Sequence, residues 1–411
     1  MPKKGKTIWF INQYASTPET GMGGRHYYLA RELAKQDYNV YLIAASNNHL
    51  LRSPPQVTTK FAFEKQDGFT FVWVKVPEYP DAQSLGRIFN WFLFSWKLLA
   101  LKKMIRDKPD VLVCSSPSLA SFLGAKKIAR DLHAKLVFEV RDIWPLTFVE
   151  VGGHSPHHPF IRFLQWIEDR AYQKSDLVIS NLKYAVSHMM ARGLEPEKFT
   201  WIPNGFCKDE IEGNQKLSQE VLNLLPKNKF VVGYAGTIGV ANALESLIDA
   251  AEQLRDVSDI AFVLVGHGKQ QKKLQEMVES KGLLNVTFIN SIPKAQIQSM
   301  LDQFDLCYIG LISQPIFKFG VSPNKLFDYF YSAKPILYAI DSGEYHPVAE
   351  AQAGVEVSPQ NVGEIVDGIV AIRSMSPEDR ASKGYNGRAY ALDNHEYSKL
   401  ALRFAKALFN K

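Results

Sequence analysis

Short apolar segments alternate with segments in which apolar residues recur every three or four positions, and this alternation continues along the whole sequence. Several short segments are apolar on both faces, as expected for strands of a parallel sheet that helices cover on both sides. The periodic segments 26–36, 243–254 and 295–304 predict helices. The pattern occurs twice, so it predicts an α/β fold of two doubly wound domains. The predicted strands are 7–12, 40–45, 69–76, 110–115, 135–140, 176–180, 230–236, 260–266, 285–289, 305–311 and 335–340.

A turn motif, Ile202-Pro203-Asn204-Gly205, lies near the middle of the chain, and a polar stretch follows it. We place the domain boundary there. Near the end of the chain, apolar residues again recur at helical spacing, which predicts a last helix that packs back on the first domain. The predicted divisions are 1–205, 206–392 and 393–411.

The composition is that of a globular protein, with 46% hydrophobic and 22% charged residues among 411. The net charge is +6, and residues 1–200 hold 27 basic and 18 acidic side chains, a local excess of 27 − 18 = 9. A basic half suggests an anionic partner, such as membrane headgroups, a phosphorylated ligand or nucleic acid, but an ordinary solvated surface is an equal alternative. No nucleic-acid-binding motif is present, so we expect no nucleic-acid partner.

Three cysteines, Cys114, Cys207 and Cys307, are too scattered for a disulfide framework or a zinc site. Cys114 and Cys307 lie in apolar segments and are predicted to be small buried residues. The apolar run after the basic start, residues 7–11, is too short for a signal peptide. We therefore expect a cytoplasmic protein.

Glycine-rich loops follow three predicted strands, and each loop opens a helix. They contain Gly21–Gly24, Thr237–Gly239 and Gly266–Lys269. Such loops lie at the carboxyl ends of parallel strands, where backbone N–H groups and the helix dipole attract phosphate. One loop of this kind is weak evidence, but three suggest a ligand between two domains. Dinucleotide, P-loop and nucleophile-elbow motifs are absent.

The segment 317–336 predicts a helix with Ser322 as N-cap and Pro323 as its first residue. Lys325 would then lie in the first turn, where the helix dipole disfavours a cation and a bound anion would compensate. Lys325 and Asp328 share one face of this helix. An i,i+3 ion pair on a solvated face is the alternative, but Lys318 and Gly320 just upstream favour an anion site.

Six segments together resemble the GT-B glycosyltransferases of glycosyltransferase family 4. The resemblance is greatest to the bacterial branch that adds N-acetylated deoxyhexoses, such as N-acetylfucosamine, during O-antigen or capsule assembly. It implies two Rossmann-like domains facing a cleft, with a nucleotide-sugar on the C-terminal domain, the acceptor on the N-terminal domain and retention at the anomeric carbon. The segments are 23–36, 141–145, 202–205, 234–239, 265–269 and 322–336.

The resemblance implies that Asp328 holds the donor ribose, where relatives usually have glutamate. A second family glutamate has no counterpart, because Phe317 and Lys318 occupy its region. Three lysines are candidates for binding the diphosphate. The expected donor-binding residues are Gly23, Gly24, Thr237, Gly266, Gly268, Lys269, Lys318, Gly320, Ser322, Asn324, Lys325 and Asp328.

For catalysis, Asp142 is a candidate to take the acceptor proton, and the equal alternative is a buried Arg141–Asp142 pair that fixes a loop. Arg25, His26 and Trp144 are expected to contact the acceptor. No Asp-x-Asp motif is present, so we predict transfer without a metal or other cofactor, with loops and lysines stabilising the leaving phosphate. The three histidines of 153–159 lie in a Gly- and Pro-rich loop and predict no metal site.

The segment 88–105 is too short to span a bilayer, but its Trp91 and Trp96 with flanking lysines such as Lys102 suit a helix at the membrane interface. A buried helix is equally compatible. The basic first half favours peripheral contact with the inner face of the cytoplasmic membrane and a polyprenyl-diphosphate-linked saccharide as acceptor. The sequence thus predicts a retaining transferase that uses a UDP-sugar. A UDP-sugar 2-epimerase and a non-catalytic anion- or lipid-binding protein are the alternatives.

Overall fold

The computed structural model describes residues 5–81 and 84–409. The chain forms two compact units. Unit 1 runs up to Asn204 and takes in the chain again from Tyr397, and unit 2 is Gly205–Glu396. The last segment therefore begins four residues after the predicted Asp393, because the preceding helix of unit 2 extends to Asn394.

The strands are β1 (Thr7–Ile11), β2 (Asn39–Ala45), β3 (Phe61–Gln66), β4 (Phe69–Val74), β5 (Val111–Ser115), β6 (Lys135–Val140), β7 (Leu177–Ser180), β8 (Phe199–Trp201), β9 (Phe230–Ala235), β10 (Ile260–Val265), β11 (Val286–Ile289), β12 (Leu306–Gly310), β13 (Ile336–Ala339) and β14 (Gly354–Glu356). The helices are α1 (Arg25–Ala34), α2 (Leu85–Leu98), α3 (Leu101–Met104), α4 (Ala120–Leu132), α5 (Leu146–Glu150), α6 (Pro159–Lys174), α7 (Val186–Ala191), α8 (Lys208–Glu212), α9 (Gln219–Leu224), α10 (Leu244–Gln253), α11 (Gln271–Ser280), α12 (Ile297–Leu301), α13 (Asn324–Tyr331), α14 (Pro347–Glu350), α15 (Val362–Arg373), α16 (Pro377–Asn394) and α17 (Tyr397–Phe409).

Each unit is built on a single sheet in the described part of the chain. The order in unit 1 is β3-β4-β2-β1-β5-β6-β7-β8, and in unit 2 it is β11-β10-β9-β12-β13-β14. All neighbouring strands are parallel except β3, which runs antiparallel to β4. The predicted pair of doubly wound α/β domains is confirmed.

The strand order reverses once in each unit. In unit 1 the chain builds outward from β1 through β2 and β4 and then returns to β5 on the other side of β1. In unit 2 it builds from β9 to β11 and returns to β12 beside β9. Open parallel sheets bind ligands at such switch points, at the carboxyl ends of the strands. The β1/β5 and β9/β12 switch points are therefore the places to look for a site.

The two ends of unit 2 meet each other. The Phe206 N–H donates to the His395 carbonyl at 3.0 Å, and Phe206 forms an isolated parallel bridge with Glu396. The chain then enters α17, which packs within unit 1: the Phe404 ring lies 5.5 Å from that of Phe10, and Lys135 Nζ donates to the Leu408 carbonyl at 2.8 Å. The first chain segment and the last one thus build a common core.

The three cysteines are free thiols inside the two units. Cys114 and Cys307 are completely buried in the two sheets, as predicted, and Cys207 is buried as well. Among the residues described, no helix combines the length and the apolar character that crossing a membrane requires.

Candidate donor and acceptor sites

Lys325 reaches the β9/β12 switch point from the first turn of α13. Its Nζ donates to Tyr234 Oη at 2.7 Å and to Asn242 Oδ1 at 2.6 Å, and it lies 4.4 Å from the centre of the Tyr234 ring. Tyr234 ends this chain of contacts by donating to the Thr237 carbonyl at 2.6 Å. The loop after β9 and the start of α13 are therefore joined through one ammonium group.

Every partner of this ammonium is neutral. No acidic side chain in the described parts of the chain forms an ion pair with Lys325, and the alternative of a Lys325–Asp328 pair is not formed. Burial lowers the pKa of Lys325 to about 7. A cation that is desolvated and has no counterion favours binding of an anion, because the anion restores the lost stabilisation.

Asp328 lies one turn further along α13 and lines a small pocket with Glu210, Lys294 and Gln298. Burial raises the pKa of its carboxyl to about 6, with Lys294 opposing the shift and Glu210 adding to it. In the structure the carboxylate makes no hydrogen bond to a described residue. Its oxygens are thus available as acceptors for hydroxyl groups.

The glycines after β9 and β10 let two loops approach each other. A Cβ at Gly266 would lie 1.9 Å from the Gly236 carbonyl oxygen, and one at Gly268 would lie 2.1 Å from the Ile238 carbonyl oxygen. The Ile238 N–H donates to the His267 carbonyl at 3.0 Å and fixes this arrangement. Close loop contact therefore explains these two glycines by itself, and their contact with a donor remains a prediction.

The other predicted donor residues of unit 2 lie on the segments that follow β9, β10 and β12. Thr237 and Lys269 are exposed on the loops after β9 and β10, and Lys318 is exposed on a 3-10 turn after β12. Gly320 follows with a φ of 95°, a value at which only glycine is free of strain. The prediction for the helix start was wrong by one residue: Asn324 is its first residue and Pro323 occupies the N-cap position, so Ser322 lies outside the helix.

At the β1/β5 switch point of unit 1, Arg25 and His26 bind a buried carboxylate. Arg25 Nε donates to Glu139 Oε1 at 2.8 Å, and His26 Nε2 contacts Glu139 Oε2. Asn12 donates to His26 Nδ1 at 2.8 Å, and Ser115 donates to Glu139. The guanidinium of Arg25 also donates to the carbonyls of residues 202 and 203.

This burial changes the role expected for two predicted acceptor residues. Arg25 and His26 are 3% and 2% exposed, so their side chains hold unit 1 together rather than face a substrate. Burial lowers the pKa of His26, although Glu139 opposes this. Burial also acts to raise the pKa of Glu139, but the charges around it, with Arg25 the permanent one, hold that pKa well below its usual range.

Glu139 was not predicted as a site residue. Its one trace in the sequence is a carboxylate between apolar residues of the strand β6. Since an acidic side chain is rarely buried without a partner, its position could have pointed to a cation nearby. Gly24, a predicted donor-binding residue, has a φ of 81°, and a Cβ there would meet nothing within 4 Å, so its contact with a donor stays a prediction. Gly23 shares the positive φ, at 63°.

Arg141 and Asp142 follow β6 directly, and the predicted alternative of a mutual ion pair is not formed. Ser116 Oγ accepts hydrogen bonds from the N–H groups of Arg141, at 2.9 Å, and Asp142, at 3.3 Å, which fixes this loop. Arg141 Nε is buried without a partner among the described residues, and Asp142 is exposed. Both side chains are thus free to meet a ligand.

Trp144 lies two residues beyond, within an aromatic cluster. Its ring is 4.1 Å from Phe148 and 5.8 Å from Trp91, and the Arg87 guanidinium lies 5.6 Å from its centre. The cluster leaves Trp144 half-buried. An apolar or sugar-ring contact is the chemistry that this surface offers.

Two models of known families match the chain in succession. The first, described as a glycosyl transferase 4-like domain, matches residues 20–205, and the second, described as glycosyl transferases group 1, matches residues 217–390. The chain belongs to the GT-B glycosyltransferases of family 4.

Three similar proteins match this glycosyltransferase over more than nine tenths of its length. It is 23% identical over 394 residues, 92% of this chain and 95% of the other, to the putative colanic acid biosynthesis glycosyl transferase WcaI of Escherichia coli K12. Its fold is similar to Anabaena HepE, solved with UDP and glucose, with a TM-score of 0.65 and 19% identity over 99% and 100% of the chains. It is also similar to WaaG, a glycosyltransferase involved in lipopolysaccharide biosynthesis, with a TM-score of 0.65 and 16% identity over 98% and 100%.

Membership in a glycosyltransferase family favours transfer over the epimerase and the non-catalytic alternatives. Within residues 5–81 and 84–409 of this glycosyltransferase, no group of three or more His, Cys, Asp or Glu side chains is placed to hold a metal ion. Transfer without a metal stays a prediction, because the donor's diphosphate itself supplies metal ligands in many enzymes of phosphate chemistry.

Proposed function

We propose that this glycosyltransferase moves a hexose, of the N-acetylated deoxy type, from a UDP-sugar to a lipid-linked saccharide with retention at the anomeric carbon. The observation that carries the proposal is Lys325, a half-buried lysine whose ammonium has only neutral partners at the β9/β12 switch point. The names of two similar proteins, which concern colanic acid and lipopolysaccharide, support a role in surface polysaccharide assembly. The UDP and glucose in the HepE crystal support the donor class.

On the donor side, each residue has a distinct proposed role. The diphosphate binds against Lys325, with Lys269 and Lys318 adding charge from the neighbouring loops. As the bond from the anomeric carbon to the diphosphate oxygen breaks, negative charge develops on that oxygen, and a preorganised cation stabilises it. Asp328 accepts hydrogen bonds from the ribose hydroxyls.

On the acceptor side, Asp142 and Arg141 are the groups that unit 1 leaves unpaired after β6. The acceptor hydroxyl oxygen forms the new bond to the anomeric carbon, on the face that the diphosphate leaves. Its proton passes to the Asp142 carboxylate. Arg141 compensates the charge of the acceptor's own diphosphate, and Trp144 offers an aromatic face to a sugar ring.

Thermal unfolding in EDTA with UDP, GDP, ADP, CMP or NAD tests the donor class. A ligand at 100 times its Kd stabilises a protein by about 2.7 kcal/mol, so we expect a clear rise in Tm with UDP alone. The Lys325→Met variant should lose this rise, whereas the matched variant Lys272→Met, at an exposed position of α11, should keep it. A rise with NAD instead of UDP would overturn the proposal.

A rise in Tm with UDP that appears only after magnesium or manganese is added would refute metal-independent donor binding but leave the donor class standing. A transfer assay with the same protein preparation separates the two enzymatic candidates. Conversion of the donor sugar without any acceptor would show the epimerase reaction and refute the transferase proposal.

A further inference from the structure

Helix α2 presents apolar side chains to solvent as well as to the core. Its inner face is buried, through Trp91, Phe94 and Leu98. Its outer face repeats at i, i+4, i+7, i+8 and i+11, and its largest members are 83%, 60% and 69% exposed, at Leu85, Phe89 and Trp96. A helix that is apolar all round is normally enclosed by protein or lipid. The outer-face residues are Leu85, Phe89, Phe92, Leu93 and Trp96.

Helix α6 extends this surface. The ring of Phe163 lies 6.1 Å from Phe92 of α2 and stacks at 5.9 Å on Trp166. Phe163 and Trp166 are 40% and 47% exposed. Single exposed apolar residues are common on proteins, but a contiguous patch with two tryptophans marks an interaction site. We call the outer face of α2 together with Phe163 and Trp166 the aromatic face.

Basic side chains border the aromatic face. Arg170 and Lys174 continue the exposed side of α6, and the Arg170 guanidinium lies 5.7 Å from the Trp166 ring. Lys126 and Arg130 lie on α4, which packs against both α2 and α6. Partial burial and the nearby charges of Arg170, Lys174 and Arg130 lower the pKa of Lys126, which shows that these cations are close together.

Two acidic side chains near the basic border are already paired. Asp131 binds Lys102 at 2.7 Å and Lys127 at 3.0 Å, and Asp169 binds Arg192 at 2.8 Å. The surface that remains is apolar with a cationic border. The predicted interfacial residues are thereby corrected: Trp91 is buried, Lys102 is engaged with Asp131, and the predicted run is divided, with α2 ending at Leu98.

We propose that the aromatic face and its basic border dock on an anionic phospholipid bilayer. This inference rests on the proposed function, since it places the lipid-linked acceptor and unit 1 on the same membrane. Tryptophan and phenylalanine enter the headgroup region, while arginine and lysine bind the anionic headgroups. A second copy of the chain fits less well, because a two-fold contact through this face would bring like charges together.

Flotation of the full-length protein with phosphatidylcholine vesicles, with and without phosphatidylglycerol, tests the proposal. We expect binding that requires phosphatidylglycerol and weakens with salt. The variant Trp96→Ser/Trp166→Ser should lower the partition coefficient about tenfold or more, because both side chains lose their insertion into lipid. Arg170→Glu/Lys174→Glu should weaken binding only to the anionic vesicles.

Matched variants control for general effects. Leu284→Ser/Tyr385→Ser removes two apolar side chains of unit 2 that are more exposed than Trp166, and Lys272→Glu/Lys273→Glu reverses two charges on α11. Both should bind vesicles like the parent protein. Equal binding by the tryptophan variant and its control would overturn the proposal, and so would a parent dimer that the tryptophan variant converts to monomers.

Failure of this inference is distinguishable from failure of the proposed function. If UDP stabilises the parent protein but the protein does not bind vesicles, the proposed docking of the aromatic face alone is refuted. Vesicle binding without any response to UDP would refute the proposed donor and leave the docking surface intact. Neither Trp96→Ser/Trp166→Ser nor Arg170→Glu/Lys174→Glu should change the rise in Tm that UDP causes.

Discussion

Arg25 Nε and Glu139 Oε1 are 2.8 Å apart, and both side chains are almost completely shielded from water. The same guanidinium binds the carbonyls of residues 202 and 203, just before the chain passes into unit 2. The pair therefore joins three distant parts of unit 1: the start of α1, the strand β6 and the segment after β8. A buried pair of this kind is costly to break from one side, since the remaining charge loses its partner.

Replacing Glu139 with Gln should destabilise unit 1. The change leaves the Arg25 charge buried without a counterion, which typically costs about 3–5 kcal/mol. Urea unfolding followed by tryptophan fluorescence measures the loss. Asp131→Asn, which removes a partly exposed carboxylate, should cost less, because water screens the charges of Lys102 and Lys127 that it leaves. A loss no greater than that of Asp131→Asn would contradict the assignment of Glu139 as a structural charge.

The same pair predicts a pH dependence. The pKa of Glu139 is lowered in the folded state, so its contribution to stability is complete above the unfolded value of about 4.3 and is lost as pH falls towards the folded value. The difference in unfolding free energy between the parent and Glu139→Gln should shrink below pH ~4.3. A difference that stays constant through acid pH would refute this.

Lys325 should couple donor binding to proton uptake. Its pKa is about 7 in the free protein, and a bound diphosphate would raise it, so UDP binding should take up a proton and weaken as pH rises above about 7. Titration calorimetry in two buffers of different ionisation enthalpy measures the uptake. Lys325→Met should abolish it, while Lys269→Met should leave the uptake in place.

Without ligand, the effect of Lys325 on the pH dependence of the free energy of unfolding has the opposite sign to that of a lysine with an acidic partner. Between the folded pKa, about 7, and the unfolded value of about 10.4, the unfolded chain binds the extra proton. The free energy of unfolding should therefore rise with pH across that window. The Lys325→Met variant should lack this component of the slope.

Asp328 should govern donor affinity at acid pH. Its carboxyl has a pKa of about 6, and a protonated carboxyl accepts ribose hydroxyls less well. We expect KM for the donor to rise below pH ~6 with little change in kcat, since ribose binding is the same in the ground and transition states. Asp328→Glu should retain most activity, and Asp328→Ala should raise KM by about tenfold or more. An Ala variant with an unchanged KM would exclude the ribose contact.

Asp142→Asn tests the proposed proton acceptor. General base catalysis typically contributes about 10²–10⁴ to the rate, and we expect a loss of kcat in that range with donor affinity unchanged. Because the side chain is exposed, the variant should fold like the parent protein, and an unchanged Tm checks this. Retention of full activity would leave Asp142 with no more than a structural place in its loop.

The fold was predictable because most strands are apolar on both faces and carry their own signal. All eleven predicted strands are present. The missed ones are edge strands: β8 and β14 have three residues each, and in β3 only the first residue is buried while the others are half-buried or exposed. Three residues are too few to show a period, and the partner that defines an edge strand is not visible from the strand itself.

The candidate site was predictable only where a local rule applied. Lys325 was found because a cation in the first turn of a helix conflicts with the dipole, whichever fold surrounds it. Glu139 was missed because its partners Arg25 and His26 are 114 and 113 residues away. On α2 both faces are apolar, so packing alone decides that Trp91 is buried and Trp96 is exposed.

The hydrogen bond between Phe206 and His395 makes unit 2 an insertion with adjoining ends. A segment whose entry and exit touch can be exchanged for a homologous one without stretching the host, which is why domain insertions succeed at such places. Replacing unit 2 with the corresponding segment of a relative would then change donor recognition, which is proposed to lie on unit 2, without changing unit 1. The helix α17 constrains such a replacement, because it follows unit 2 in the chain and must still pack against Phe10 in unit 1.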